Sequence, residues 1–183
     1  MNVITEITPN PETLKFKVSK NLVETNGIEF KSVEDAKGNK FVEDLFQIQG
    51  VEGIYVGVDF ISVTKINKIT WNQLKPKILS YLLDSLNSAE PIFKKNKIEE
   101  NENNKQLDKV SKKIKDIIDL QVRPAVAKDG GDIIFKSYEN GVVNLKLKGA
   151  CSGCPSSTAT LKNGIENLLK HYLPEIKSVN SID

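Results

Sequence analysis

The sequence predicts an α+β fold in two small domains, each a mixed or antiparallel sheet packed with helices, joined by a flexible linker. Three observations predict it. Short segments that alternate apolar and polar residues, the pattern of half-buried strands, occur in both halves of the chain. Segments with apolar residues at helical spacing are interleaved with them. Between the halves, Ser88 to Lys105 holds Pro91, many charges and almost no apolar periodicity. Such a stretch cannot bury enough surface to offset the entropy of ordering. The expected division is therefore an N-terminal domain over 1–87, a linker over 88–105 and a C-terminal domain over 106–183. Both domains fall within the workable size for a small core.

In the N-terminal half, Val3 to Thr8 and Leu14 to Val18 alternate as half-buried strands do. Phe41, Val42, Leu45, Phe46 and Ile48 follow helical spacing, and Gly50 ends that helix. Val51 to Val58 and Phe60 to Lys65 read as paired strands meeting near Asp59. A second helix runs from about Trp71 to Leu86 with Thr70 as its N-cap. Its apolar stripe is Trp71, Leu74, Ile78, Tyr81 and Leu82. Pro76 lies inside it, which predicts a kink or a separate first turn. This half holds no Cys or His, and no acid, base and nucleophile in a recognisable pairing.

The C-terminal half opens with a helix from about Leu107, with Leu107, Val110, Ile114, Ile117 and Ile118 on one face. Pro124 and the Lys128-Asp129-Gly130-Gly131-Asp132 turn are expected to end this region. Asp132 to Tyr138 reads as a strand. Asn140-Gly141 is a strong two-residue hairpin signal, and Val142 to Lys148 returns with Val143, Leu145 and Leu147 on one face. A loop over 149–154 follows, then a helix with Leu161, Ile165, Leu168, Leu169 and Tyr172 inward. Pro174 stops it, and Ile176 to Ile182 predicts a last strand.

Composition narrows the function classes. The chain has 183 residues, is 39% hydrophobic and 27% charged, and carries a net charge of only +2. That charge is too small to imply a nucleic-acid partner. Arg123 is the one arginine, whereas a reader of phosphates or bases normally uses arginine forks. No run approaches the 18 or more apolar residues of a membrane span. The first residues lack the pattern of a secretory or transit signal. A single closely spaced cysteine pair suits a reducing compartment. A cytoplasmic protein is expected, or a mitochondrial matrix protein if the chain is a processed organellar one.

Both cysteines lie in one short stretch, Cys151-Ser152-Gly153-Cys154-Pro155. Pro155 suits the first helical position, which makes Cys154 the cap residue and puts Cys151 in the preceding loop. Free N–H groups and the positive end of the helix dipole would then face both sulfurs, lower their pKa and favour thiolates. Lys146, Lys148 and Lys162 flank the loop and would add to this effect. The two-residue gap lets both sulfurs reach one metal centre.

The number of donors matters next. Zinc and the common iron–sulfur clusters usually take four protein ligands, and this chain offers two thiolates. His171 lies roughly 25 Å further along the helix at 1.5 Å per residue, too far to join them. Two chains related by a twofold axis would supply two plus two; partner proteins or small thiols are the alternative source. From the residues alone four readings stay open: an ordinary surface pair, a dithiol–disulfide oxidoreductase, a zinc-bridged structural dimer and an iron–sulfur site. Against the oxidoreductase, the preceding aromatic residue is missing and Pro follows the second Cys instead of separating the two.

The C-terminal half closely resembles the C-terminal domain of the NifU-like (Nfu) family of iron–sulfur proteins over about Leu107 to Val179. The resemblance is carried by Arg123-Pro124, by Asp129-Gly130-Gly131-Asp132 and by the run from Gly149 through Cys151, Cys154 and Pro155 to Glu166. The N-terminal half is similar to the family's accessory domain through the stretch from Asn10 to Phe16, Leu45-Phe46, Gly50-Val51, the stretch from Asp59 to Lys65, and Trp71. The resemblance implies a [4Fe–4S] cluster shared between two subunits, a homodimer when loaded, with Cys151 and Cys154 as the cluster and metal ligands. It implies a non-enzymatic carrier or late scaffold whose partners are assembly proteins and client apoproteins, with no nucleic acid and no membrane. The extra cysteines of the longer NifU architecture are absent from this sequence. Elsewhere the plainer readings are preferred: Asp129 and Asp132 as turn residues, Arg123 as a helix-end cation, His171 as a solvated residue near a helix C-terminus, and Trp71 as core.

Overall fold

The computed structural model describes residues 2–23, 27–86, 93, 108–153 and 155–182, with backbone alone at 155–158. The chain forms two compact units, Met1–Lys95 and Asn96–Asp183. The segment expected to be a linker lies outside the described residues except for Phe93. That ring packs within the first unit, 6.5 Å from Phe30 and 6.2 Å from Phe41 between centroids.

The first unit is an antiparallel sheet ordered β1-β2-β5-β4-β3: β1 Val3–Ile7, β2 Thr13–Val18, β3 Ile28–Phe30, β4 Val51–Val56 and β5 Phe60–Lys65. Alternation places Leu14, Phe16, Ile61 and Val63 on one face, paired across β2 and β5. They form one core with Val42 and Leu45 of α1 (Lys40–Phe46) and with Leu74, Ile78 and Leu82 of α2 (Trp71–Leu86). Asn39 caps α1, its Oδ1 accepting the Val42 N–H at 3.1 Å. On the opposite face Lys15 is buried, with its ammonium 2.9 Å from Glu6 and over the Phe60 ring.

Two expectations here change. The helix across Pro76 is continuous from Trp71 to Leu86, so its first turn is not a separate element. Pro76 sits in the second turn on the exposed side, where water can satisfy the carbonyl its ring leaves without a donor. The edge strand β3 is an addition; three residues are too few for alternation to register. At the start of α2, the Thr70 backbone N–H and hydroxyl both donate to Gln73 Oε1, at 3.2 and 3.0 Å. The return arm of a capping box is thus present.

The second unit is a sheet ordered β6-β7-β8: β6 Gly131–Glu139, β7 Val142–Gly149 and β8 Ser178–Ser181. Asn140 (φ 54°) and Gly141 (φ 87°) are both left-handed, as a type I′ turn requires, so β6 and β7 form a tight hairpin. A bulge between Phe135 and Ser137 shifts the β6–β7 register. After β7 the chain crosses through α5 (Pro155–Tyr172) and returns as β8, parallel to β7. This mixed sheet packs its Ile133, Leu145 and Val179 side against Ile114 and Ile118 of the preceding helical layer and Leu169 of α5.

That helical layer departs from expectation. α3 (Lys109–Ile117) passes into a π-helical turn (Ile118–Val122) and then α4 (Arg123–Lys128). Pro124 does not end the region. It is the second residue of α4, directly after the π turn, and the helical layer runs on through it to Lys128. The Arg123 N–H bonds to the Ile118 carbonyl, the five-residue step that defines the π turn.

Candidate metal centre

The cysteine loop grows out of the end of β7. Gly149 (φ 63°) takes a left-handed conformation, and its carbonyl accepts the Ser152 N–H at 3.0 Å. The Ala150 N–H donates to the Gly130 carbonyl at 3.1 Å, which ties the loop to the turn before β6. Gly153 (φ 82°) is again left-handed, and α5 begins at Pro155 as expected. Cys154 lies outside the described residues, so the structure fixes the position of Cys151 alone.

Cys151 is only 7% exposed and belongs to the core of the second unit. Gly131, the first residue of β6, forms its seat. A Cβ built on Gly131 would lie 2.5 Å from Cys151 Sγ and 2.8 Å from the Lys148 carbonyl oxygen. This corrects the expectation of an exposed, helix-activated thiolate. Burial pushes the Cys151 thiol up to about 12, and the Asp129 and Asp132 carboxylates push in the same direction.

Asp132 also departs from its expected role as a turn residue. It is the second residue of β6 and is buried. Arg123 reaches it from the start of α4 as a two-pronged pair, with Nε to Oδ1 and Nη2 to Oδ2 both at 2.9 Å. Asp132 Oδ1 further accepts the Ile133 N–H at 2.8 Å. Arg123 is therefore an anchored, largely buried cation. It also contacts Asp119 in the π turn at 3.4 Å, and Asp119 in turn takes Lys115. The acid partner of Arg123 was legible as a residue but not as a contact, because the nine-residue separation spans a helix and a turn. Gly131 as the seat of Cys151 carried no local signal beyond the Gly-Gly pair itself.

The remaining expected residues stay apart from the loop. His171 is in the last turn of α5, its ring 5.2 Å from that of Tyr172. Trp71 packs partly buried at the edge of the first core and donates its Nε1–H to the Pro11 carbonyl at 2.9 Å. Lys146 and Lys148 alternate with Leu145 and Leu147 along β7, on the sheet face away from the core. Lys162 lies on α5 close enough to Glu166 to help lower the pKa of that carboxyl. Among the described residues no three His, Cys, Asp or Glu side chains converge as a metal site. Among them, too, no helix is long and apolar enough to cross a membrane.

Comparison with known proteins adds the following. The family model described as NifU-like domain matches residues 114–180, and the model described as Scaffold protein Nfu/NifU N terminal matches residues 3–89. A human protein named NFU1 iron-sulfur cluster scaffold homolog, mitochondrial, is 40% identical over 183 residues, spanning 100% of this chain and 72% of the human one. An Arabidopsis thaliana protein named NifU-like protein 4, mitochondrial, is 38% identical over 189 residues, spanning 98% of this chain and 65% of its own length. The chain spans 64% of a Drosophila willistoni relative that bears the same name as the human protein. A solution NMR structure of a NifU-like protein from Saccharomyces cerevisiae is 26% identical, with a TM-score of 0.46, covering 52% of this chain and 87% of that one.

Proposed function

Because the chain belongs to the Nfu family of NifU-like proteins, we propose that it is an iron–sulfur cluster scaffold and carrier. In this reading it holds a [4Fe–4S] cluster between two copies of itself and passes it to client apoproteins. Cys151 and Cys154 of each copy are the four ligands. The observation that carries the reading is the cysteine pair itself: the only two thiols of the chain, two residues apart, at the junction of β7 and α5. A cluster with four thiolate sites needs twice that number, and a twofold axis supplies it.

The cluster is cargo, so it has to be held and released. Cys151 is seated against Gly131, so holding a cluster requires its sulfur to turn outward. Gly149 and Gly153 flank this stretch, and two backbone hydrogen bonds, to Gly149 and Gly130, hold it in place. Release is ligand exchange, in which client thiolates replace those of the carrier one at a time. The Arg123–Asp132 pair keeps the start of β6, and with it the seat, fixed while the loop moves. The first unit chooses clients or assembly partners in this reading. The mitochondrial names of the human and Arabidopsis relatives favour the matrix over the cytoplasm.

Anaerobic reconstitution with iron and sulfide tests the proposal. Brown protein with about four iron and four sulfide per two chains is expected, at the mass of a dimer. Cys151→Ala or Cys154→Ala should abolish the cluster while circular dichroism keeps the fold. A stable cluster on either single variant, or a loaded single chain, overturns it. A zinc-bridged dimer would instead be colourless, with half a zinc per chain.

A further inference from the structure

β6 and β7 turn one face to the helices of their unit and the other away from them. The bulge after Phe135 shapes the outer face. Phe135 and Tyr138 both pack with the core, so the two residues between them, Lys136 and Ser137, turn outward together. Asn144 stands on the same side and donates from Nδ2 to Ser137 Oγ at 2.9 Å. Alternation brings Ile134 of β6 and Lys146 and Lys148 of β7 to this face as well. Ile134 is directly opposite Lys146 in the ladder, with Lys136 beside it on its own strand and Lys148 diagonal to it. A half-buried isoleucine is thus ringed by three lysines. The carboxylates of β6 are placed elsewhere: Asp132 is held by Arg123, and Glu139 stands at the far, hairpin end. None of the three lysines forms an ion pair among the described residues. Lys148 immediately precedes Gly149, from which the cysteine loop grows.

We propose that this outer face is a docking surface for an acidic amphipathic helix of a cluster-accepting apoprotein. Lys146 and Lys148 are about 6.8 Å apart along their strand. Residues four apart on a helix rise about 6 Å, so two carboxylates on one helix face meet both lysines. An apolar side chain between them covers Ile134, and Lys136 extends the charge on the other strand. A protein helix fits this face better than other anions do. The one arginine of the chain is committed to Asp132, so nothing here forks onto phosphates or bases. Three lysines also fall short of the roughly four to eight cations of an anionic-lipid site. Charge complementarity then selects an acidic helix over a basic one. Docking here holds the acceptor beside the loop that carries Cys151. The inference rests on the carrier reading for the identity of the partner, though not for the existence of the face.

An NMR titration of the full cluster-free chain tests it. The probe is an alanine-based helical peptide with glutamates four residues apart on one face and a leucine between them. The same peptide with lysines for the glutamates is the control. The acidic peptide should shift the Ile134 methyls and the side-chain signals of Lys136, Lys146 and Lys148, and the basic one should not. The exposed Lys112 and Lys113 of α3 should stay unmoved. The combined variant Lys136→Gln, Lys146→Gln, Lys148→Gln should bind about tenfold or more weakly, and serine for the peptide's leucine should cost about threefold or more. No shift at Ile134, or equal shifts at the α3 lysines, overturns the proposal without recourse to any variant. A folded variant that binds as tightly as the parent also overturns it. So does a chain that ignores the peptide and binds phosphatidylglycerol vesicles through these lysines, which would make the face a membrane contact. Iron loading of the wild-type chain is measured separately. Failure there defeats the carrier reading, while a loaded chain with no response at Ile134 defeats the docking surface alone.

Discussion

Replacing Arg123 by Leu tests whether the bidentate pair holds the start of β6. Asp132 has a side chain only 7% exposed, while that of Arg123 is 26% exposed. Removing one partner of a buried pair typically costs about 3–5 kcal/mol, because a charge is left in a poor medium. Partial exposure of the guanidinium lowers this, as does the Ile133 N–H that still serves Asp132, so about 2–4 kcal/mol is expected. A unit of about 90 residues has roughly 5–13 kcal/mol in all, so the loss is a substantial share. At about 4–8 °C per kcal/mol for this size, Arg123→Leu should lower the melting transition of this unit by at least about 8 °C in calorimetry. Asp132→Asn should cost less, because the guanidinium it leaves is partly exposed and keeps its contact with Asp119. The double variant should melt well above the additive sum, with a coupling of about 1–3 kcal/mol. A melting change under about 3 °C for Arg123→Leu, or strict additivity, would refute the reasoning.

Gly131→Ala forces a methyl against Cys151 Sγ and the Lys148 carbonyl. It should cost about 1–3 kcal/mol and speed labelling of Cys151 in a Cys154→Ala background; labelling at the parent rate would count against the seat. Glu166 spans α5 and β8, bonded to Lys170 and to the Val179 N–H, and these contacts lower its pKa. A lowered folded pKa contributes stability that is fully present above the unfolded value of about 4.3 and is lost as pH falls through the folded one. Urea melts of wild type and Glu166→Gln should therefore differ at pH 7 and converge in stronger acid, and a constant gap would contradict the assignment. Tyr81→Phe removes the 2.9 Å bond to the Phe41 carbonyl and should cost about 0.5–1.5 kcal/mol in the same assay; no change would mean that water replaces the bond.

What could be read in advance depended on the range of the forces involved. The Asn140-Gly141 hairpin and the helix over 155–172 rest on turn chemistry and periodicity, which are local, and both stand where they were expected. The π turn was not legible in advance: apolar residues at Ile114, Ile117 and Ile118 suit an α-helix equally well. Asp132 was read as a turn residue because its neighbours are glycines, yet its role comes from a guanidinium nine positions back. Cys151 was read as an activated thiol because the helix start is local and visible. Its burial comes from Gly131, twenty positions away, which nothing near the cysteines announces.

The parallel pairing of β7 with β8 carries a consequence for timing. Val142 meets Ser178 across the whole of α5, a closure far longer than the two-residue turn joining β6 to β7. During synthesis the hairpin can form while the ribosome is still making the crossover. The third strand of the sheet can assemble only after Ser178–Ser181 has left the exit tunnel.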